Sequence, residues 1–351
     1  VTHSQRRAAL GARLRAAELD AMLVTDLINV RYLSGFTGSN AALLVFANGA
    51  DAVLATDGRY RTQAARQAPD LEVAIERACG WYLAGRAAAG KARRVGFESH
   101  VVTVDGCDAL AAGMSEAGAA ELVRAPQTVE ALREIKDAGE VALLRLACEA
   151  ADAALTDLVE RGGLRSGRTE REVGRELETL MLDHGADGVS FETIVAGGAN
   201  SAVPHHRPTE AMLATGDFVK IDFGALVGGY HSDMTRTFVL GRAAAWQLEI
   251  YELVSTAQRA GRVALEAGAT LADVDAAARG VIADAGHGGH FGHGLGHGVG
   301  LQIHEAPGIN GTATGTLLAG SVVTVEPGVY LPDRGGVRIE DTLVVAGEGE
   351  P

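Results

Sequence analysis

The sequence predicts an α+β chain of two domains, a smaller α/β domain over residues 1–130 and a larger domain over 131–351. Three observations carry this. The 351 residues exceed what one hydrophobic core usually organises. Short strand-like runs alternate with helical stretches up to about residue 130, the pattern of a small α/β domain. Beyond it, long helical patterns alternate with strand pairs that carry acidic side chains.

Element by element, residues 5–19 read as a helix with Leu10, Leu14 and Leu19 on one face. Strand candidates follow at 21–25, 41–47, 52–55 and 94–97, with helices near 57–67 and 106–117. After Pro126 a charged segment, Val129 to Lys136, leads into a helix at about 137–160, and the domain boundary is placed near 130. Thr169 and Glu172 form a capping-box pair that starts a further helix, and two more helices are predicted at 243–266 and 270–285. Strands at 219–223 and 231–240 flank a Gly228-Gly229 turn. Strands at 321–326 and 337–345 flank a turn with Gly335 and Gly336.

Composition narrows the function. Hydrophobic residues make up 47% and charged residues 22%, a globular profile. The net charge of −14, with no long Lys/Arg block, argues against nucleic-acid or anionic-membrane partners. Cys79, Cys107 and Cys148 suggest neither a disulfide framework nor a Cys-x-x-Cys zinc site; buried free thiols in a reducing compartment are expected. Arg6 and Arg7 precede an amphipathic pattern, not an apolar run, and no stretch approaches a membrane span. A cytoplasmic location is therefore expected.

The first strand pair carries two aspartates. A turn centred on Gly228-Gly229 pairs Val227 with Tyr230 and, further out, Asp222 with Thr235. Asp233 then shares a face with Asp222, the Cα atoms roughly 7–8 Å apart as diagonal neighbours. Two carboxylates aimed at one half-buried spot repel unless a proton or cation lies between them. Two solvated aspartates on an open sheet are the alternative, and the flanking Ile221, Phe223, Phe238 and Val239 argue against it.

Residues 291–300 alternate glycine with larger residues, a pattern that excludes a helix at about 1 kcal/mol per glycine. As a strand, one face is bare backbone and the other carries His293, Leu295, His297 and Val299. Five of the eleven histidines lie between 287 and 304; a flexible His-rich tract is the alternative, and Leu301 and Ile303 oppose it. Two glutamates follow in apolar runs, Glu326 before Pro327-Gly328 and Glu340 in Val-Arg-Ile-Glu-Asp. Their spacing of fourteen allows a shared face if the connecting loop has odd length. A salt bridge to Arg338 is the alternative account of Glu340.

Together these segments resemble the pita-bread peptidases, and among them the Xaa-Pro group, prolidase and aminopeptidase P. The similar N-terminal segments are Tyr32 to Asn40 and Thr56 to Tyr60. Five C-terminal segments match in order: Ser190 to His205, Ile221 to Phe238, His293 to His304, Thr324 to Tyr330, and Val337 to Asp341. The resemblance implies a pita-bread catalytic domain of the creatinase/aminopeptidase type behind a non-catalytic, creatinase-type N-terminal domain. It implies hydrolysis of the bond preceding proline in Xaa-Pro peptides by a metal-bridging hydroxide, and a homodimer. Two divalent metal ions per subunit are implied, Mn²⁺ foremost with Co²⁺ or Zn²⁺ as alternatives, which suits one imidazole among carboxylates.

By position, the implied metal ligands are Asp222, Asp233, His297, Glu326 and Glu340, with Asp233 and Glu340 bridging the two ions. Glu326 is also the implied proton shuttle. His304 would donate to the carbonyl oxygen as charge develops, and His205 would contact the scissile nitrogen or the residue attached to it. His293 and Arg338 are implied as groups of the substrate pocket or supports for the ligands. His206 departs from the pattern of many relatives and is expected to be an exposed bystander, or else an added specificity contact. A methionine-aminopeptidase-like enzyme, a metal-free creatinase-like hydrolase and a catalytically dead scaffold share the fold. The segment at 32–40 opposes the first, and retention of all five ligands opposes the other two.

Overall fold

Residues 21–24 read Ala-Met-Leu-Val without polar alternation, and all four side chains are fully buried. A strand of that kind sits inside a sheet covered on both faces. It belongs to the first of two units, Val1–Arg133 and Glu134–Pro351, in a computed structural model that describes residues 2–49 and 51–347.

The first unit runs α1 (His3–Ala16), β1 (Ala21–Val24), α2 (Leu27–Ser34), β2 (Ala41–Phe46), β3 (Val53–Thr56), α3 (Arg61–Gln67), β4 (Glu72–Ile75), α4 (Cys79–Ala89), β5 (Arg94–Phe97), α5 (Val104–Ala117), β6 (Glu121–Arg124) and the single turn α6 (Glu130–Arg133). Its sheet has the order β4-β3-β2-β1-β5-β6. The β1–β2 and β2–β3 pairs are antiparallel and the other neighbours parallel. Leu83, Ala84 and Ala87 of α4 and Leu110 and Met114 of α5 cover Ala21 and Leu23, while α1 and α2 pack against the β1–β2 pair.

Several elements differ from the sequence reading. The first helix stops at Ala16, and a 3₁₀ turn at Gly58–Tyr60 precedes α3. Helices α2 and α4 and strands β4 and β6 were not anticipated. Helix α2 has a legible start, Asp26 accepting from the Ile28 N–H, but its eight residues are too few for a clear period. Alanine and glycine in α4 blur its apolar face. Only Cys79 is buried; Cys107 and Cys148 are half-buried, and all three thiols are free. No helix of the described residues is long and apolar enough to cross a membrane.

The second unit runs α7 (Ala138–Glu160), α8 (Glu170–Asp183), β7 (Gly188–Val189), β8 (Ile194–Gly197), β9 (Phe218–Phe223), β10 (Ala225–Val227), β11 (Tyr230–His231), β12 (Met234–Val239), α9 (Ala245–Val263), α10 (Leu271–Asp284), β13 (Gly296–Gly298), β14 (Glu305–Ile309), β15 (Val322–Val325), β16 (Gly328–Leu331), β17 (Gly335–Arg338) and β18 (Asp341–Val344). Thr169 caps α8 through the expected reciprocal bonds with Glu172, and Asp137 with Glu140 caps α7 the same way. Such caps contribute about 1 kcal/mol each. Val219, Ile221 and Phe223 of β9 pack against Ala151 and Leu155 of α7 and Leu177 and Leu180 of α8. Each fully buried apolar side chain contributes about 1.5–3 kcal/mol. Strand alternation then turns Lys220 and Asp222 to the opposite face.

Two hairpins set the registers that matter. Gly228 and Gly229 have φ of 56° and 83°, as a tight primed turn requires, and Val227 pairs with Tyr230 and Asp222 with Thr235 as read from the sequence. In the second hairpin Leu331 pairs with Gly335 across the odd three-residue loop 332–334. The pairs Gly328–Arg338 and Val325–Asp341 hold one register, which sets Glu326 opposite Glu340. An isolated bridge, Thr235 to Glu340, joins the two hairpins.

The glycine–histidine segment is less regular than expected. It pairs as a strand only over Gly296–Gly298, with a register shift after His297. Leu295 leaves the face of His293 and His297 and enters the core with Val325 and Ala278. The bare backbone is used as anticipated: a Cβ on Gly296 would lie 2.0 Å from the Thr324 carbonyl oxygen. Gly296→Ala should therefore lower the unfolding free energy by about 1–3 kcal/mol. Gly280→Ala, in the open middle of α10, should raise it by about 1 kcal/mol. Denaturant midpoints of the two variants against the parent check this pair; equal midpoints would refute the packing account.

Candidate metal centre

The two joined hairpins and the glycine-rich segment close around a cavity of about 460 Å³. Its lining contains every residue singled out from the sequence: Asp222, Asp233, His297, Glu326 and Glu340, with His205, His293, His304 and Arg338. Asp222 comes from β9, Asp233 from the step into β12, His297 from β13, and the glutamates from the ends of β15 and β17.

The acidic groups are almost wholly buried; Asp222, Asp233 and Glu340 are 7%, 6% and 1% exposed. Burial, then the charges of Glu340, Asp222 and Glu326, pushes the Asp233 carboxyl well above its ordinary range. Glu340 is raised in the same way, by burial and then by Glu326 and Asp222. Burial lifts Glu326 to about 7. Four carboxylates thus share one guanidinium, that of Arg338.

Arg338 is fully engaged. Its Nη2 donates to Asp222, its Nε to Thr235 Oγ1 at 3.0 Å, and its Nη1 to Tyr330 OH at 2.7 Å and the Pro204 carbonyl at 3.3 Å. The Tyr330 hydroxyl donates onward to His293 Nε2 at 2.8 Å, because His293 Nδ1–H is given to the Gly294 carbonyl at 2.8 Å. Thr235 Oγ1 in turn donates to Glu340 at 2.6 Å. Thr235 and Tyr330 are therefore parts of the site that the sequence reading missed. Thr235 stands two residues from Asp233 on the same strand face, a signal that was available.

His297 donates Nδ1–H to the Gly298 carbonyl at 3.1 Å. That fixes the tautomer and leaves the Nε2 lone pair facing Asp233 Oδ2 at 3.5 Å and Glu326 Oε1 at 3.4 Å. Burial lowers the His297 pKa to about 4, so the ring stays neutral and its Nε2 lone pair is available to a cation. Asp233, His297 and Glu340 present donor atoms all within 4.8 Å of one another. The Asp222 Oδ1 atom is buried without a hydrogen-bond partner. Oxygen and imidazole donors converging with unshared lone pairs fit divalent cations.

The remaining lining is arranged around this floor. His304 is exposed in the cavity and sits edge-on to His297, with ring centroids 4.3 Å apart. His205 is exposed too, and partial burial followed by the charge of Arg338 lowers its pKa. Phe191, Ile194 and Ile303 form apolar wall, and Glu192 and Arg207 pair at 3.2 Å on the exposed rim. His206 is not the bystander expected. It is half-buried, with Nε2 2.8 Å from the buried carboxylate of Glu170. Bonds within the fold hold it there, a contact between residues 36 apart that local reading does not reveal.

Comparison with known proteins agrees with this architecture. The model of metallopeptidase family M24 matches residues 142–346, and that of the creatinase/prolidase N-terminal domain matches residues 6–135. The chain is 40% identical over 333 residues to the uncharacterized peptidase YqhT of Bacillus subtilis (strain 168), covering 94% of this chain and 92% of that one. The structure is similar to that of an Xaa-Pro dipeptidase from Bacillus anthracis, with TM-score 0.93, 38% identity, and coverage of 99% and 96% of the two chains. It is also similar to an X-Pro aminopeptidase from Thermotoga maritima MSB8, with TM-score 0.87, 32% identity and coverage of 96% of each. The chain belongs to metallopeptidase family M24, with a pita-bread catalytic domain preceded by a creatinase/prolidase-type N-terminal domain.

Proposed function

We propose that this chain hydrolyses the peptide bond preceding proline, in Xaa-Pro dipeptides or at the start of longer Xaa-Pro peptides, with two divalent metal ions held by Asp222, Asp233, His297, Glu326 and Glu340. The observation that carries the proposal is the cluster of four carboxylates, three buried and that of Glu326 half-buried, facing one imidazole lone pair and one guanidinium. The near full-length similarity to enzymes named for Xaa-Pro substrates supports the choice of bond. Bound divalent cations supply Lewis-acid activation of water and of the scissile carbonyl; residue types favour Mn²⁺, Co²⁺ or Zn²⁺ without choosing among them.

The chain's own groups do the rest. Glu326 takes a proton from the attacking water and returns it to the prolyl nitrogen as the C–N bond breaks. His304 donates to the carbonyl oxygen while negative charge builds there. His205 meets the substrate on the prolyl side, and Phe191, Ile194 and Ile303 offer apolar surface to the ring. Arg338 donates to Asp222 and, through Tyr330, orients His293.

Purified protein assayed with Mn²⁺, Co²⁺ and Zn²⁺ in turn should cleave Ala-Pro or Ala-Pro-Ala before proline and leave Ala-Ala intact. Comparing the dipeptide with the tripeptide separates dipeptidase from aminopeptidase activity. Asp233→Ala should lower kcat/KM about a thousandfold, the several kcal/mol of charge stabilisation a metal provides. Failure of metal-replete protein on both peptides would end the proposal. A homodimer is expected, and a monomer by light scattering at micromolar concentration would remove that expectation.

Proton linkage provides a second test. Glu326 holds its proton in the folded, metal-free state up to about 7 but releases it near 4.5 when unfolded. In that window the folded state binds more protons at this group, so its contribution to the stability of the metal-free protein falls as pH rises. Cations that take the protons' place should raise Tm more at pH 7.5 than at pH 5. A Mn²⁺-induced Tm increment independent of pH would contradict this charge balance.

A further inference from the structure

Residues 203–209 carry His205 into the cavity, yet they form no helix or strand. Something outside the loop must fix it, since a loose histidine would contribute little to a reaction that needs near-attack geometry. Two buried side chains meet the loop from opposite ends. On one side the Lys220 amine donates to the Val203 carbonyl at 2.7 Å and to the Pro204 carbonyl at 3.2 Å. On the other, Glu170 accepts from His206 Nε2 at 2.8 Å, Thr209 N–H at 2.9 Å and Thr209 Oγ1 at 2.7 Å through one oxygen. Its second oxygen accepts from Gly197 N–H and Asn200 Nδ2, both at 2.9 Å. His205 stands between the two attachments.

Neither side chain is among the residues lining the cavity, and both are fully buried. Lys220 makes no ion pair among the described residues; its other contact is the face of the Tyr330 ring, 5.1 Å from the centroid. A buried amine costs several kcal/mol unless its donors are used. Here they are spent on the two carbonyls immediately before His205, and either protonation state supplies both donors. A leucine or methionine would fill the same space in β9 without that cost. Glu170 shows the same logic with the sign reversed: five donors converge on one carboxylate, three of them from the loop. Pro204 adds a fixed φ to the segment between the anchors.

We propose that Lys220 and Glu170 are positioning residues, a two-ended clamp that fixes the 203–209 loop so that His205 projects into the cavity toward the substrate. The inference rests on the role given to His205 in the proposed reaction. The clamp does not touch the reacting atoms; it acts through His205.

A double-mutant cycle tests it. Lys220→Met and Glu170→Gln should each lower kcat/KM for an Xaa-Pro peptide by about 10–100-fold, the range seen for groups that orient catalytic residues. In a His205→Ala background the same changes should have less than about a threefold further effect, because coupled residues are not additive. Equal fold losses in both backgrounds would overturn the proposal. Hydrogen exchange of the folded variants supplies a readout independent of activity. At least one of the amides of Gly197 and Thr209 should exchange at least tenfold faster in Glu170→Gln, since an amide cannot accept from both donor sets, while those of α9 and α10 keep their rates. Unchanged exchange at Gly197 and Thr209 would also overturn it. Should Lys220→Met fail to fold, the Glu170→Gln arm of the cycle and its exchange rates decide the proposal. If the parent protein cleaves no Xaa-Pro peptide, the proposed reaction falls, and the exchange rates still decide whether the clamp exists.

Discussion

Thr235 and Glu340 meet as an isolated bridge between two hairpins, and the chemistry of the molecule depends on that meeting. The first hairpin brings Asp222 and Asp233; the second brings Glu326 and Glu340. Neither alone assembles four carboxylates. Joined, they create a concentration of negative charge that burial makes costly and that one arginine only partly offsets. Burial together with that shared charge raises the carboxyls of Asp233, Glu326 and Glu340, while burial keeps the ring of His297 neutral and one oxygen of Asp222 is left without a partner.

The helices stabilise an arrangement that the strands would not hold alone. The apolar residues of β9 pack against α7 and α8, and those of β15, β16 and β17 pack against α9 and α10. The same alternation that feeds these cores turns the acidic residues to the other side. Arg338 then ties floor to wall, since its guanidinium reaches Asp222, Thr235, Tyr330 and the Pro204 carbonyl at once. A lysine there could not form that planar set of bonds.

How much of this was legible depended on whether the controlling contact was local. The pairing of Asp222 with Thr235 followed from two adjacent glycines, because a primed turn fixes the register of its strands. Thr169 announced α8 by a bond to a residue three positions away. The placement of Glu326 opposite Glu340 needed only the parity of one loop, which the structure supplies. The resemblance to pita-bread peptidases rested on short motifs in order, and the family comparison bears it out. Illegible features were those decided at long range. Leu295 abandons the alternation of its neighbours because a core lies beneath it. Lys220 and Glu170 look like ordinary charged residues of a strand and a helix start; only the fold reveals that both are sealed inside and turned on one loop.

The cavity combines two kinds of construction. Its floor is strand backbone locked by glycine contacts as tight as that between Gly296 and Thr324, where even a methyl group has no room. Its rim is made of exposed side chains, Glu192 and Arg207 among them, that bond to each other across open solvent. Changes at the rim leave the buried charges undisturbed, whereas almost any change in the floor unsettles them. Divergence in peptide preference among descendants of such a chain therefore has an accessible route along the edge of the cavity, with the reacting centre held constant underneath.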